Sequence, residues 1–236
     1  MSVQEHVHGV MERVKAAAIA AGRDPKEITL CAATKVQSDE TIRAAIAAGI
    51  TVCGENRVQE LSAHLAEGAY EGAQVHFIGH LQTNKVKNVV GKVALIHSVD
   101  SERLLRAIDA QAEKIGVRQD ILLEVNIAGE ESKGGAAPEE IRGLAALAME
   151  LEHVRLRGLM AIPPISDRPG SNIHFFEEMR RLFVDIKDEM TDNQSGFDCL
   201  SMGMSGDFED AIAAGSTLVR VGTALFGPRP PMNKAQ

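Results

Sequence analysis

Ile28-Thr29-Leu30-Cys31-Ala32-Ala33-Thr34-Lys35-Val36-Gln37-Ser38 is the stretch on which the fold turns. It opens as an apolar run of buried-strand composition and leaves that strand through Lys-Val-Gln-Ser. An open, doubly wound sheet of the dinucleotide-binding type would leave its first strand through Gly-x-Gly-x-x-Gly, and no such turn is present. Short runs rich in Val, Ile and Leu recur at about 50–54, 75–79, 93–98, 121–127, 154–160, 197–201 and 217–222. Helical patterns at 39–48, 56–67, 83–90, 101–115, 138–150, 172–190 and 206–214 separate them. Repeated β-α units predict a parallel α/β sheet, and eight of them in 236 residues predict a closed (β/α)₈ TIM barrel.

Outside the barrel, residues 2–21 carry Val3, Val7, Val10, Val14 and Ala18 at spacings of three and four, an extra N-terminal helix. After the eighth strand, Phe226-Gly227-Pro228-Arg229-Pro230-Pro231 and a short polar stretch leave too little chain for a last outer helix. The extra helix is predicted to fill that gap, because strands 1 and 8 are neighbours in a closed barrel. Residues 1–236 read as one domain, with the barrel at about 28–227 and a polar tail at 228–236.

The bulk numbers exclude several classes. Apolar residues make up 44% of the chain, enough for a core, but aromatic residues are 3% and Trp is absent, so aliphatic side chains must fill it. A net charge of −8 argues against a nucleic-acid surface. Cys31, Cys53 and Cys199 show neither disulfide nor zinc spacing and read as small core residues, and no metal site is expected. No signal peptide and no membrane span is legible, which reads as a cytoplasmic protein.

Barrel active sites lie at the C-terminal ends of the strands. Lys35 closes strand 1. Lysine is rarely buried, because desolvating an ammonium is costly, so this one is either a side chain snorkelling to solvent or an amine nucleophile for a carbonyl compound. Gly203, Ser205 and Gly206 precede a helix near Asp207, and Gly222-Thr223 closes strand 8. Glycines, hydroxyls and a helix N-terminus after strands 7 and 8 suit a phosphate, although such loops also occur as plain turns. In Leu218-Val219-Arg220-Val221-Gly222, alternation sends Arg220 to the face opposite Val219 and Val221. It needs an anion or acceptor there, a ligand or a neighbouring carboxylate. Arg220 should lie near Lys35, and an amine, a cation and an anion site together suit a phosphorylated carbonyl compound. Pyridoxal 5′-phosphate (PLP) and the sugar phosphates of Schiff-base aldolases both qualify. His80 and His97 read as loop hydrogen-bonders, Met202 and Met204 as packing, and Glu130-Glu131 as a solvated pair.

Longer strings carry a resemblance. They are Gly54-Glu55-Asn56 with Gln59-Glu60, His76-Phe77-Ile78-Gly79 with Leu81-Gln82 and Asn84-Lys85, and His97-Ser98-Val99-Asp100. Val125-Asn126-Ile127, Ser132-Lys133, Gly158-Leu159-Met160 and Leu200-Ser201-Met202-Gly203-Met204-Ser205 continue the series, with Val219-Arg220-Val221-Gly222-Thr223 at its end. Over almost its whole length the chain resembles the YggS/PROSC-type PLP homeostasis proteins. It departs at Thr34, at Val36-Gln37 and at Ala161. The resemblance implies a fold type III PLP protein with the barrel of the alanine racemase N-terminal domain but without its C-terminal β-domain. It implies PLP as a covalent aldimine at Lys35, with Arg220 facing the ring nitrogen. Ser201, Ser205, Gly222 and Thr223 would contact phosphate, and Asn56, His80 and Met160 would line the ring and its entrance.

An arginine at the ring nitrogen keeps it unprotonated and weakens the ring as an electron sink. Racemisation also needs proton donors on both faces, and Tyr70, the sole tyrosine, falls away from the mouth. The expected function is therefore PLP homeostasis without robust turnover, by a monomer that supplies PLP to dependent apo-enzymes. A weak racemase or other fold type III enzyme is one alternative, and a cofactor-free Schiff-base aldolase is another.

Overall fold

The computed structural model describes residues 2–130, 134–164, 168, 170–190 and 196–228. Glu131, Ser132-Lys133 and the tail from Arg229 onward lie outside the described residues. Eight parallel strands close in sequence order into a barrel: β1 (Thr29–Ala33), β2 (Val52–Glu55), β3 (Gln74–Phe77), β4 (Leu95–Val99), β5 (Gln119–Val125), β6 (Val154–Ala161), β7 (Cys199–Ser201) and β8 (Leu218–Val221). Closure sets β8 against β1, with Cys31 opposite Arg220.

The helices are α1 (Val3–Ala20), α2 (Asp39–Ala47), α3 (Val58–Ala66), α4 (Glu102–Ile115), α5 (Ile141–Glu150), α6 (Ile173–Glu189), α7 (Phe208–Ala213) and the single turn α8 (Thr223–Phe226). Helix α1 begins with a capping box between Ser2 and Glu5 and buries Val7, Val10, Val14 and Ala18. It packs on α2, α7 and α8, filling the ring where α8 is only one turn long. Two helical expectations change. Across 83–90 the helical segment is a 3₁₀ run, Thr83–Asn88, that buries Val86 and stops before the buried Val89 and Val90. Pro138–Glu140 is likewise a 3₁₀ turn leading into α5.

Strand alternation divides the apolar residues. Ala32, Phe77, Ile96, Leu123, Leu159 and Val219 face the helices and join the main core. Inside the barrel are two smaller apolar clusters, one of Cys31, Val52, Ile78 and Leu218 and one of Leu95, Leu122 and Met160. Barrel interiors are usually filled by branched aliphatics. Here His76, His97, Ser201, Arg220 and Glu124 are buried as well.

Candidate functional site

The C-terminal ends of β1 and β2 are fastened by a buried carboxylate. Glu55 is fully buried and accepts from Asn56 N–H (2.7 Å), Arg57 N–H (3.3 Å), Tyr70 O–H (3.2 Å) and Thr34 O–H (3.3 Å). Burial raises its pKa, and the amide bonds from Asn56 and Arg57 oppose that rise. Thr34 also donates its N–H to the Gly54 carbonyl at 2.9 Å, so the residue before Lys35 is locked to β2. Tyr70 belongs to this buried knot, and burial, then Glu55, pushes its phenol well up.

Lys35 and Val36 form the turn that leaves β1. Val36 has φ +60°, among the described residues the only positive value outside glycine. Its N–H donates to Glu60 Oε2 at 2.8 Å, and Glu60 also pairs with Arg57 at 3.1 Å. A carboxylate on α3 thus holds the turn that carries Lys35.

Lys35, Asn56 and Arg220 reach one cavity of about 230 Å³, whose edge is formed by Ser205, Gly206, Gly222 and Thr223. Ile78, Ile162, Met204 and Phe226 add apolar wall. Ser205 Oγ accepts N–H groups from Gly222 and Ala224, both at 3.2 Å, tying the two glycine-hydroxyl loops together. Gly203, at φ +92°, leaves no room for a Cβ against Ala211, and its carbonyl accepts the Arg220 N–H at 3.0 Å. Asp207 holds the same loop by accepting from Met204 N–H (2.7 Å) and Asn172 Nδ2 (2.8 Å). On the far wall, a Cβ on Gly79 would overlap the Asn56 carbonyl, so glycine lets β3 close on Asn56. Asn56 Oδ1 is buried without a hydrogen-bond partner.

Arg220 is buried and lowered in pKa, first by desolvation. Its Nη1 donates to Ser201 Oγ at 2.5 Å and its Nη2 to the Ala161 carbonyl at 2.9 Å. Its observed acceptors are therefore a hydroxyl and a carbonyl, and it forms no carboxylate ion pair among the described residues.

Six of the nine expected site residues meet at this cavity, namely Lys35, Asn56, Ser205, Arg220, Gly222 and Thr223. The other three lie elsewhere. Ser201 is fully buried beneath Arg220 and is not among the cavity-lining residues. Met160 packs inside the barrel with Leu95 and Leu122, since strand alternation points it inward below the mouth. His80 is 65% exposed beside Asp100, in a separate cleft with Gln82 and Asn84. His97, read as a loop group, is fully buried in the barrel. Met204, read as packing, lines the cavity. Its place between Gly203 and Ser205 was the available signal, because a residue inside a ligand loop has no strand face to pack.

A larger opening of about 730 Å³ lies at the N-terminal face. Its charges already neutralise one another: Asp120 binds Arg155 and Arg157, and Arg157 also binds Asp198, at 2.7–2.8 Å. The smaller cavity has the chemistry. No group of three His, Cys, Asp or Glu able to hold a metal occurs among the described residues, and no described helix is long and apolar enough to cross a membrane.

Residues 25–230 match the family described as alanine racemase, N-terminal domain. The chain is 43% identical over 229 residues to the pyridoxal phosphate homeostasis protein of Aquifex aeolicus, covering 97% of this chain and 99% of that one. It is 40% identical to the protein of the same name from Pseudomonas aeruginosa, over 97% and 96% of the two chains. Among solved structures it is similar to PipY of Synechococcus elongatus with PLP bound, with a TM-score of 0.79, 31% identity, and coverage of 96% of this chain and 100% of that one. On these matches the chain belongs to the pyridoxal phosphate homeostasis protein family, built on the barrel of the alanine racemase N-terminal domain.

Proposed function

We propose that the cavity holds PLP through Lys35 and that the protein stores and supplies this cofactor. The observation that carries the reading is the convergence of one amine, one guanidinium and a glycine-hydroxyl edge on a single small cavity. The residues fit the group. Asn56 Oδ1 is an orphaned acceptor at the cavity, Ile78 and Ile162 offer apolar wall to a ring, and Ser205, Gly222 and Thr223 offer donors to a phosphate. Lys35 Nζ would add to the aldehyde carbon, with C=N replacing C=O and one water released. Arg220, a permanent donor, would face the ring nitrogen and keep it unprotonated.

Bound PLP supplies an electron sink, but the cavity gives it little to work with. Among the described residues, Lys35 and Arg220 are the only ionisable side chains lining it. Proton transfer on two faces needs a second acid or base. Supply of PLP to dependent apo-enzymes, by a monomer in the cytoplasm, follows as the expected role.

The test is addition of PLP to the purified protein. A visible absorbance band should appear and be absent in Lys35→Ala, and borohydride reduction with peptide mapping should place the adduct on Lys35. A protein that stays colourless with added PLP would sink this reading. Turnover of amino acids at about 1–10³ s⁻¹ would favour the racemase alternative instead.

A further inference from the structure

The interior of the barrel contains a hydrogen-bonded chain that runs from one face to the other. At the N-terminal face, His76 borders the large opening, and its Nδ1 lies 3.0 Å from His97 Nε2. His97 Nδ1 lies 3.1 Å from Ser201 Oγ, which accepts from Arg220 Nη1 at 2.5 Å. Arg220 borders the other cavity. His97 and Ser201 are fully buried, and His76 and Arg220 are 5% and 4% exposed.

The direction of the chain follows from what each group can do. Guanidinium only donates, so Ser201 Oγ is the acceptor in its bond to Arg220. Ser201 has one hydrogen left, and His97 Nδ1 is the acceptor within reach. A neutral His97 then carries its proton on Nε2 and donates to His76 Nδ1, leaving the His76 proton on Nε2 at the N-terminal face. The sequence Arg220 to Ser201 to His97 to His76 satisfies every member. It requires both imidazoles to be neutral. Burial holds them so, lowering His76 to about 4 and His97 well below its ordinary value, and the Arg220 charge lowers His97 further.

We propose that Ser201 and His97 are positioning residues for Arg220: they fix the guanidinium from below so that its remaining N–H groups face the cavity in one orientation. This rests on the reading that Arg220 faces the ring nitrogen of bound PLP. Ser201, expected to touch phosphate, acts one step behind the ring partner instead. His97 supplies the acceptor that keeps the Ser201 lone pairs turned toward Arg220.

The test uses the full chain with PLP as the probe and reads dissociation constant, absorbance spectrum of the bound form, and melting temperature. Ser201→Ala should weaken PLP binding about tenfold, the loss expected when a misaligned Arg220 gives up its charge-assisted hydrogen bond to the ring, and shift the bound spectrum. His97→Asn places an amide where Nδ1 stood and should retain most of both properties. His97→Gln places its amide nearer the Nε2 position and should not. Wild-type affinity and spectrum in folded Ser201→Ala would overturn the proposal. So would equal losses in His97→Asn and His97→Gln that simply follow melting temperature, and this pair decides the matter if Ser201→Ala fails to fold. Wild-type protein that takes up no PLP would instead defeat the underlying cofactor reading.

Discussion

Val36→Gly should make the protein more stable and its ligand site worse. At φ +60° a β-branched side chain sits against its own backbone, at a cost of about 1–2 kcal/mol. Val36 is 50% exposed, so removing the side chain forfeits little burial. The bond to Glu60 is made by the backbone N–H and survives the change. Glycine releases the strain but gives the unfolded chain more freedom, which takes back about 0.4–1 kcal/mol. The net gain is about 0.5–1 kcal/mol, or a rise of about 1–4 °C in melting temperature for a chain of this size. The same freedom loosens the turn that carries Lys35, and PLP binding should weaken by about two- to tenfold. Val36→Asn is the control, since asparagine tolerates the left-handed region without glycine's flexibility. It should keep the stability gain and most of the affinity. Thermal unfolding followed by circular dichroism, with and without PLP, reads both effects. A PLP-free Val36→Gly protein that melts below wild type would refute the idea that strain is stored at this position.

Glu124 should impose a pH dependence of its own. Burial, then the nearby Asp100 charge, raises its pKa from the ordinary 4.5 to about 7. Between those values the native state keeps a proton that the unfolded chain has lost, so its contribution makes stability fall as pH rises, by up to about 3 kcal/mol. His76, lowered to about 4, acts with the opposite sign between about 4 and 6.5, where stability rises with pH. Subtracting the wild-type profile from that of Glu124→Gln removes the His76 part, and the difference should grow from pH 4.5 to 7; parallel denaturant profiles would contradict the assignment. Gly79→Ala should destabilise by about 1–3 kcal/mol through its clash with the Asn56 carbonyl and reduce PLP affinity, as measured by melting and titration. Burial pushes the Cys31 thiol far up and Cys53 to about 12, so a thiol-reactive disulfide reagent at pH 8 should modify neither of these two buried cysteines until the chain unfolds.

The barrel was legible because its signal repeats. Each strand shows as a short apolar run, and the missing Gly-x-Gly-x-x-Gly after Ile28–Thr34 removed the open-sheet rival. Lys35 and Arg220 were legible for a related reason, since charge at a strand end or on the inner face of an apolar strand has few uses. The supports behind them were not. Nothing at Ser201 or His97 in the linear chain indicates a bond to a partner 104 residues away. Such pairs arise only when strands 4 and 7 are brought across the barrel, where interior side chains meet by layer instead of by neighbour. Met160 and His80 show the same limit: the strand end is legible, but not whether a side chain points into the barrel, into the cavity or out to solvent. Glu60 is visible in the sequence beside Gln59, yet its bond to Val36 N–H depends on how α3 leans over the first turn.

The polar interior carries a thermodynamic implication. Branched aliphatics would fill this barrel without any hydrogen-bond obligations, whereas His76, His97, Ser201 and Arg220 must each find a partner away from water. Losing one member leaves another unsatisfied, at about 1–3 kcal/mol for a neutral group and more for a charged one. Replacing all four with well-packed apolar residues is expected to be neutral or stabilising, as for other buried charge networks. The fold therefore gives up stability to keep a guanidinium fixed at the cavity. On the proposed reading, a rigid donor and a single amine would hold and orient a bound ring.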